Sequence, residues 1–350
     1  MTVLITGGAG FIGTNLADRL LRDGSRVRIL DSLARAGVEE NLRWLQTQHG
    51  NRLQVIIGDI RDGDTVRRAA KGAEQVFHFA AQVAVTTSLT DPVEDFEVNA
   101  RGTLNLLEAL RSHATPPPLL YTSTNKVYGA LDDIPLRHRN RRYIPVDDAV
   151  ARSGIGEGRP LDFHSPYGCS KGAADQYVLD YARTYGLPAM VFRMSCIYGP
   201  HQFGTEDQGW VAHFLIQTSK GLPVTLYGDG SQVRDILFIE DLVDAFLKAQ
   251  EWMPVVSGHA FNIGGGTANT VSLVELLELI GELQGRPPEV RHAAWRPADQ
   301  RFYVSDTARF EKLTGWRASV GVREGVQRLA EWLTGAGRLG PARKIAGAYP

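Results

Sequence analysis

Val3-Leu4-Ile5-Thr6-Gly7-Gly8-Ala9-Gly10-Phe11-Ile12-Gly13 decides the fold of this chain. An apolar run enters a glycine-rich turn, and beyond it Leu16, Leu20 and Leu21 recur on one face of a helix expected over Phe11 to Arg22. The turn satisfies G-x-x-G-x-x-G through Gly7, Gly10 and Gly13, and G-x-G-x-x-G through Gly8, Gly10 and Gly13. Between a strand and a helix, the missing side chains let the backbone approach a pyrophosphate at the positive end of the helix. Eighteen positions after Gly13, Asp31 closes a second strand over Val27 to Leu30, with Ser32 beside it. A carboxylate there accepts hydrogen bonds from the ribose hydroxyls of an adenosine and repels a 2′-phosphate. The reading therefore favours NAD over NADP, with Arg28 and Arg35 arguing the other way. Gly58-Asp59-Ile60, after a third strand, is placed to meet the adenine.

Working outward, strands over Leu53 to Ile57, Gln75 to Phe79, Leu119 to Tyr121 and Ala189 to Phe192 alternate with helices over Asn99 to Arg111 and Tyr167 to Tyr185. That alternation predicts an α/β fold with a Rossmann-type, doubly wound parallel sheet covered on both faces. A smaller, mixed α/β substrate domain follows, punctuated by Gly228, Gly230 and Gly264 to Gly266, with a helix over Leu273 to Leu283. The expected division gives residues 1–199 and a return segment 234–265 to the cofactor domain, and 200–233 with 266–334 to the substrate domain. Residues 335–350 read as a flexible tail. Residues 131–163 read as a long irregular insertion, with Arg137, His138, Arg139, Arg141 and Arg142 on a solvated loop.

Thirty-eight basic side chains against 39 acidic ones, a net charge of −1, argue against a nucleic-acid binder, which needs surplus Lys and Arg to neutralise phosphates. Two cysteines build no disulfide scaffold and no zinc-ligand spacing occurs, so no metal and a reducing cytoplasm are expected. The opening residues are too short an apolar run for a signal peptide, and no run approaches the roughly 18 residues of a membrane span.

Tyr167-Gly168-Cys169-Ser170-Lys171 puts a phenol and an ammonium four apart on one helical face. A phenol of pKa near 10 is a poor base at neutral pH; a neighbouring ammonium and a cationic nicotinamide both favour its phenolate. Such a tyrosine takes a hydroxyl proton while the adjacent carbon gives up hydride. Behind a nucleotide fingerprint in this order, the spacing gains the weight it lacks alone.

The glycine turn, Phe79-Ala80-Ala81-Gln82, Ser123-Thr124-Asn125-Lys126-Val127-Tyr128-Gly129, Tyr167 with Lys171, and Val233-Arg234-Asp235 together resemble the extended short-chain dehydrogenase/reductases, in particular their NAD-dependent sugar-nucleotide epimerase/dehydratase branch. The resemblance reaches to about residue 333. It implies Thr124 as the hydroxyl that hydrogen-bonds the reacting sugar, Tyr167 as base, and Lys171 as the residue holding the nicotinamide ribose. It implies Ala80, Ala81, Gln82 and Asn99 around the cofactor, Asn99 as a structural partner, and Arg234, Arg296 and Asp299 around a nucleotide diphosphate and its ribose. Arginine is apt there for bidentate contacts. The resemblance also implies a homodimer through a four-helix interface built from the helices near 99–111 and 167–185.

Within that branch, dehydratases carry an acidic pair directly after the Thr; Asn125-Lys126 supplies no acid to expel a hydroxyl. Reductases need a dissociable NADPH, which Asp31 disfavours. Epimerisation of a nucleotide sugar remains, by oxidation to a ketone and reduction on the opposite face. The words at 123–129, at 161–177 and Asp207-Gln208-Gly209-Trp210 resemble the branch members that invert C2 of a CDP-deoxyhexose; inversion at C4 of another nucleotide sugar stays open. Asn125, Lys126, His164, Gln202 and Gln208 are the pocket residues expected to separate the two. Cys196 departs from the Asn common at its position. His164 reads as a hydrogen-bonding neighbour of the site, Cys169 and Cys196 as small packing residues, and Trp210 as either pocket wall or core. The intact Thr124, Tyr167 and Lys171 speak against a catalytically idle NAD-binding protein.

Overall fold

The computed structural model describes residues 1–296 and 299–335. Seven parallel strands form the main sheet. From one edge to the other they are Ala260–Ile263, Ala189–Met194, Leu119–Thr124, Gln75–His78, Thr2–Thr6, Arg26–Asp31 and Leu53–Ile57. Chain order reverses beside Thr2–Thr6, and ligands of doubly wound sheets bind in the crevice outside the carboxyl ends at such a point. Alternate side chains of each strand feed two separate cores. On one face Val3, Ile5 and Phe77 meet Leu16 and Leu20 of the helix Phe11–Arg22 and Phe246 of the helix Ile239–Glu251. On the other, Leu4, Val76 and Tyr121 meet Leu106 and Leu110 of Gly102–Arg111 and Ala174 and Val178 of Pro166–Tyr185. Each fully buried leucine contributes about 1.5–3 kcal/mol, so both faces are committed to helices.

The helix expected from Asn99 begins earlier. It opens at Pro92–Phe96, capped by the Asp91 side chain, and passes through one wide π-turn at Glu97–Arg101 before Gly102–Arg111. Asn99 lies in that turn, a distortion common at functional sites.

Beyond the main sheet, Val233–Phe238 is joined in parallel by Cys196–Tyr198 and Phe302–Tyr303 and antiparallel by Thr270–Ser272. Val224–Tyr227 pairs with Val290–Ala293. The segment 131–163 corrects an expectation. It holds an antiparallel hairpin, Leu136–Arg139 with Arg142–Pro145, and a helix, Asp148–Ser153, capped by the Asp147 side chain, which accepts from Ala149 N. Asn140 and Arg141 turn the hairpin with φ of 49° and 66°, a left-handed conformation Asn tolerates and Arg signals poorly. Arg142 grips the Glu275 carboxylate through two hydrogen bonds of 2.9 and 2.6 Å, and Arg141 pairs with Glu278. Charge on the strands hid the hairpin from the hydrophobic pattern. Gly335, expected in a loose tail, ends the helix Val322–Gly335; the remainder of that tail, 336–350, lies outside the described residues.

Candidate active site

A cavity of about 800 Å³ opens along the carboxyl ends of the main-sheet strands. Gly7, Gly10, Phe11, Ile12, Gly13, Asp31, Ser32, Asp59, Ile60, Ala80, Ala81 and Gln82 all line its first half. Gly7 has φ of +68°, and a Cβ there would lie 2.6 Å from the Ala80 nitrogen; at Gly13 a Cβ would lie 2.5 Å from the Gly7 oxygen. No side chain caps the N-terminus of the helix Phe11–Arg22, so its positive end and first N–H groups are open to an anion. Asp31 Oδ2 accepts from Ala9 N and Oδ1 from Leu33 N, both at 2.9 Å. Burial raises the Asp31 pKa, and those backbone donors and Arg35 partly counter it. Arg28 is turned away, bonded to Gln54 and to the carbonyls of Ala69 and Lys71, whereas Arg35 lines the cavity. An uncapped helix end behind a side-chain-free turn, with a carboxylate at the next strand end, fits NAD.

Asn99 does not line the cavity. It is buried and holds the strand end in place: Oδ1 accepts from Gln82 N at 2.9 Å, and Nδ2 donates to Gln82 O at 3.0 Å. Its neighbour Asp95, fully buried, accepts from Gln82 Nε2 at 2.7 Å and from Ser170.

Thr124 ends its strand, and Tyr167 and Lys171 lie in the first turns of the helix Pro166–Tyr185; all three line the cavity. Ser165 caps that helix by accepting from Gly168 N at 3.1 Å, while Tyr167 N donates to Ser88 Oγ at 3.1 Å. The phenol therefore starts from a fixed backbone. Burial pushes Tyr167 up to about 12, and a hydrogen bond from Thr124 partly offsets it. Burial also pulls Lys171 down to about 7 against the favourable pull of Asp175 and Asp95. Lys171 Nζ donates to Thr122 O at 2.6 Å and lies 4.3 Å from the Tyr121 ring centre.

Asn125, Lys126, Gln202, Gln208, Arg234, Arg296 and Asp299 line the second half. Asn125 Nδ2 and Lys126 Nζ both donate to Gln300 Oε1, at 3.2 and 3.3 Å. Burial and the nearby Arg234 lower Lys126 to about 8. Arg234 Nη2 donates to Asp299 Oδ1 at 2.7 Å; although burial opposes it, Arg234 and Lys126 hold that carboxyl below its ordinary pKa. Arg296 pairs with Asp207 at 3.5 Å and covers the Tyr227 ring at 3.9 Å. The site thus offers cations, a carboxylate and amides to a ligand's diphosphate and hydroxyls.

Two expectations fail. His164 is outside the cavity lining; its Nε2 lies 2.8 Å from Asp162 Oδ2, and the ring packs near Gly129, because the loop before the helix turns it to solvent. Cys169 is exposed rather than packed in the core, its position being on the outer side of the helix that carries Tyr167 and Lys171 inward. Cys196 and Trp210 do line the cavity. Two residues escaped the sequence reading. Gln300, fully buried, also donates to Gly129 O at 2.7 Å and anchors the 124–129 loop; Gln232 is a buried wall residue. Adjacency to Asp299 and to Val233-Arg234-Asp235 was the signal available. Among the described residues no cluster of His, Cys, Asp and Glu is arranged for a metal, and no helix is long and apolar enough to cross a membrane.

Residues 3–264 match the NAD dependent epimerase/dehydratase family. The chain belongs to that family. It is 43% identical over 339 residues to CDP-paratose 2-epimerase of Salmonella typhi, covering 95% of this chain and 99% of that protein. It is 33% identical to UDP-glucose 4-epimerase of Mycolicibacterium smegmatis, covering 95% and 98%. The crystal structure of Thermus thermophilus UDP-glucose 4-epimerase in complex with NAD superposes with a TM-score of 0.82 at 34% identity, covering 96% of this chain and all of that one. The chain is accordingly an NAD-dependent enzyme of the sugar-nucleotide epimerase/dehydratase class.

Proposed function

We propose that this enzyme inverts C2 of a CDP-deoxyhexose by oxidation to the ketone and reduction on the opposite face. One observation carries the reading: the glycine turn, Thr124, Tyr167, Lys171 and the Arg234–Asp299 pair share one cavity in which Asn125 and Lys126 stand where elimination would need acids. The near full-length 43% identity to a CDP-paratose 2-epimerase supports C2 over C4. Gly7, Gly10, Phe11, Ile12 and Gly13 receive the cofactor's pyrophosphate, Asp31 and Ser32 its adenosine ribose, and Asp59 and Ile60 its adenine. Ala80, Ala81 and Gln82, held by Asn99, close the nicotinamide end. When bound, NAD accepts hydride from the sugar carbon and returns it.

Tyr167 takes the proton of the reacting hydroxyl, with Thr124 hydrogen-bonded between them, and gives it back to the inverted alcohol. Lys171 stabilises the phenolate that Tyr167 is before it takes the proton and again once it has given it back. Arg234 and Arg296 hold the diphosphate and Asp299 the nucleotide ribose, so the sugar turns about its diphosphate bonds without leaving. Asn125, Lys126, Gln202 and Gln208 receive its hydroxyls. In this reading residues 1–199 and 234–265 serve the cofactor, 200–233 and 266–334 the substrate, and the enzyme works as a homodimer in the cytoplasm.

The test is a panel of CDP-, UDP-, GDP-, TDP- and ADP-sugars in deuterated buffer. Inversion at C2 of CDP-paratose, with no solvent deuterium on carbon, is expected. Inversion at C4 alone would replace the assignment, and deuterium at the inverted carbon would overturn the hydride mechanism.

A further inference from the structure

One stretch of the cavity wall, formed by Met194, Ser195, Cys196, Ile197 and Trp210, offers a ligand almost no polar group. Its own polar atoms are engaged elsewhere. Ser195 Oγ donates to the Asp235 main-chain oxygen at 2.9 Å and also meets that residue's carboxylate. The Cys196 thiol takes a hydrogen bond from the Trp210 side chain. A thiol is a weak partner for a hydroxyl in any case.

Beside this wall stands the opposite case. Gln202 Nε2 donates to Ile197 O at 3.1 Å, which fixes the amide and uses one of its two N–H donors. Gly209 packs so closely that a Cβ there would lie 2.9 Å from that nitrogen. The remaining Oε1 is buried without a partner in a residue 8% exposed that lines the cavity. Buried polar atoms are paired in folded proteins, so this acceptor awaits a donor from the ligand. A diphosphate has none to give; a sugar hydroxyl has.

We propose that Gln202, Cys196 and Trp210 form a deoxy-sugar subsite, in which Gln202 Oε1 accepts from one sugar hydroxyl while the thiol, the indole and Met194 cover a ring edge carrying hydrogen or methyl in place of hydroxyl. A hydroxyl lodged on that wall would lose its water and gain no partner, whereas a methylene or methyl loses nothing. The proposal rests on the epimerase reading only in taking the ligand to be a nucleotide sugar.

The test is calorimetric binding to the NAD-loaded Tyr167→Phe enzyme, which lacks the proposed base and therefore titrates without turnover, whichever carbon inverts. The probes are CDP-paratose, a 3,6-dideoxy sugar, and CDP-glucose, which adds hydroxyls at C3 and C6. CDP-paratose is expected to bind about 10- to 100-fold more tightly. Adding Cys196→Asn narrows that ratio about tenfold or more by supplying an amide, while Cys196→Val preserves it; Gln202→Leu weakens both probes about tenfold and leaves the ratio alone. If the Asn variant does not fold, Cys196→Ser carries the same comparison. Equal affinity for the two probes, or a ratio unmoved in a folded Asn or Ser variant, overturns the subsite. A parental enzyme that inverts no nucleotide sugar overturns the epimerase reading instead, and the binding ratio is untouched by that result.

Discussion

Tyr167 and Lys171 are both biased by burial toward their neutral forms, the phenol up to about 12 and the ammonium down to about 7. A lysine whose folded pKa is depressed costs stability while it is charged. Below pH 7 that cost is present in full, because folded and unfolded chains are both protonated. Between about pH 7 and 10.5 the unfolded chain binds the extra proton, so stability of the cofactor-free protein rises with pH across this window. Lys126, lowered to about 8, acts in the same direction; only a comparison with a variant isolates Lys171. Lys171→Met is expected to flatten the rise, by on the order of 1 kcal/mol or more between pH 6.5 and 9.5 in urea unfolding. Parallel pH profiles for parent and variant would show that Lys171 titrates at its ordinary value.

The turn that opens the chain shows what an element can reveal before its surroundings are known. Gly13→Ala places a Cβ 2.5 Å from both the Gly7 oxygen and Gly8 Cα, all of it backbone that cannot swing aside. The variant is expected to lose about 1–3 kcal/mol and to purify with little NAD; Gly10→Ala, whose Cβ meets only the Gly7 oxygen at 3.2 Å, loses less. Thermal unfolding together with the nucleotide released on denaturation distinguishes the two, and equal losses would refute the packing argument. The same turn made the parallel sheet legible, because glycine spacing, apolar strands and helical periodicity agree there. Tyr167 with Lys171 and the carboxylate of Asp31 were legible too, since strand ends and helix faces fix where such side chains point. The hairpin around Asn140 was hidden by charged strands that pack through ion pairs such as Arg142 with Glu275. The outward turn of His164 and the anchoring by Gln300 were hidden because both depend on loops whose course no local spacing dictates.

At the scale of the whole molecule, the helical flank behind the site exposes several large apolar side chains. Val93, Phe96 and Tyr177 are 70%, 53% and 46% exposed on the outer sides of Pro92–Arg111 and Pro166–Tyr185. The inner sides of the same helices carry Asp95, Asn99, Tyr167 and Lys171. Pairing two copies through this flank would bury those side chains and brace the helix that bears the proposed base. Phe96→Glu with Tyr177→Glu puts two carboxylates into the proposed four-helix contact, where neither finds a partner. Light scattering after size exclusion is expected to give twice the chain mass for the parent and a single chain mass for the double variant, with NAD retained in both because the glycine turn lies elsewhere. A parental monomer would remove the dimer from the proposal. A double variant that stays dimeric would move the interface off this flank.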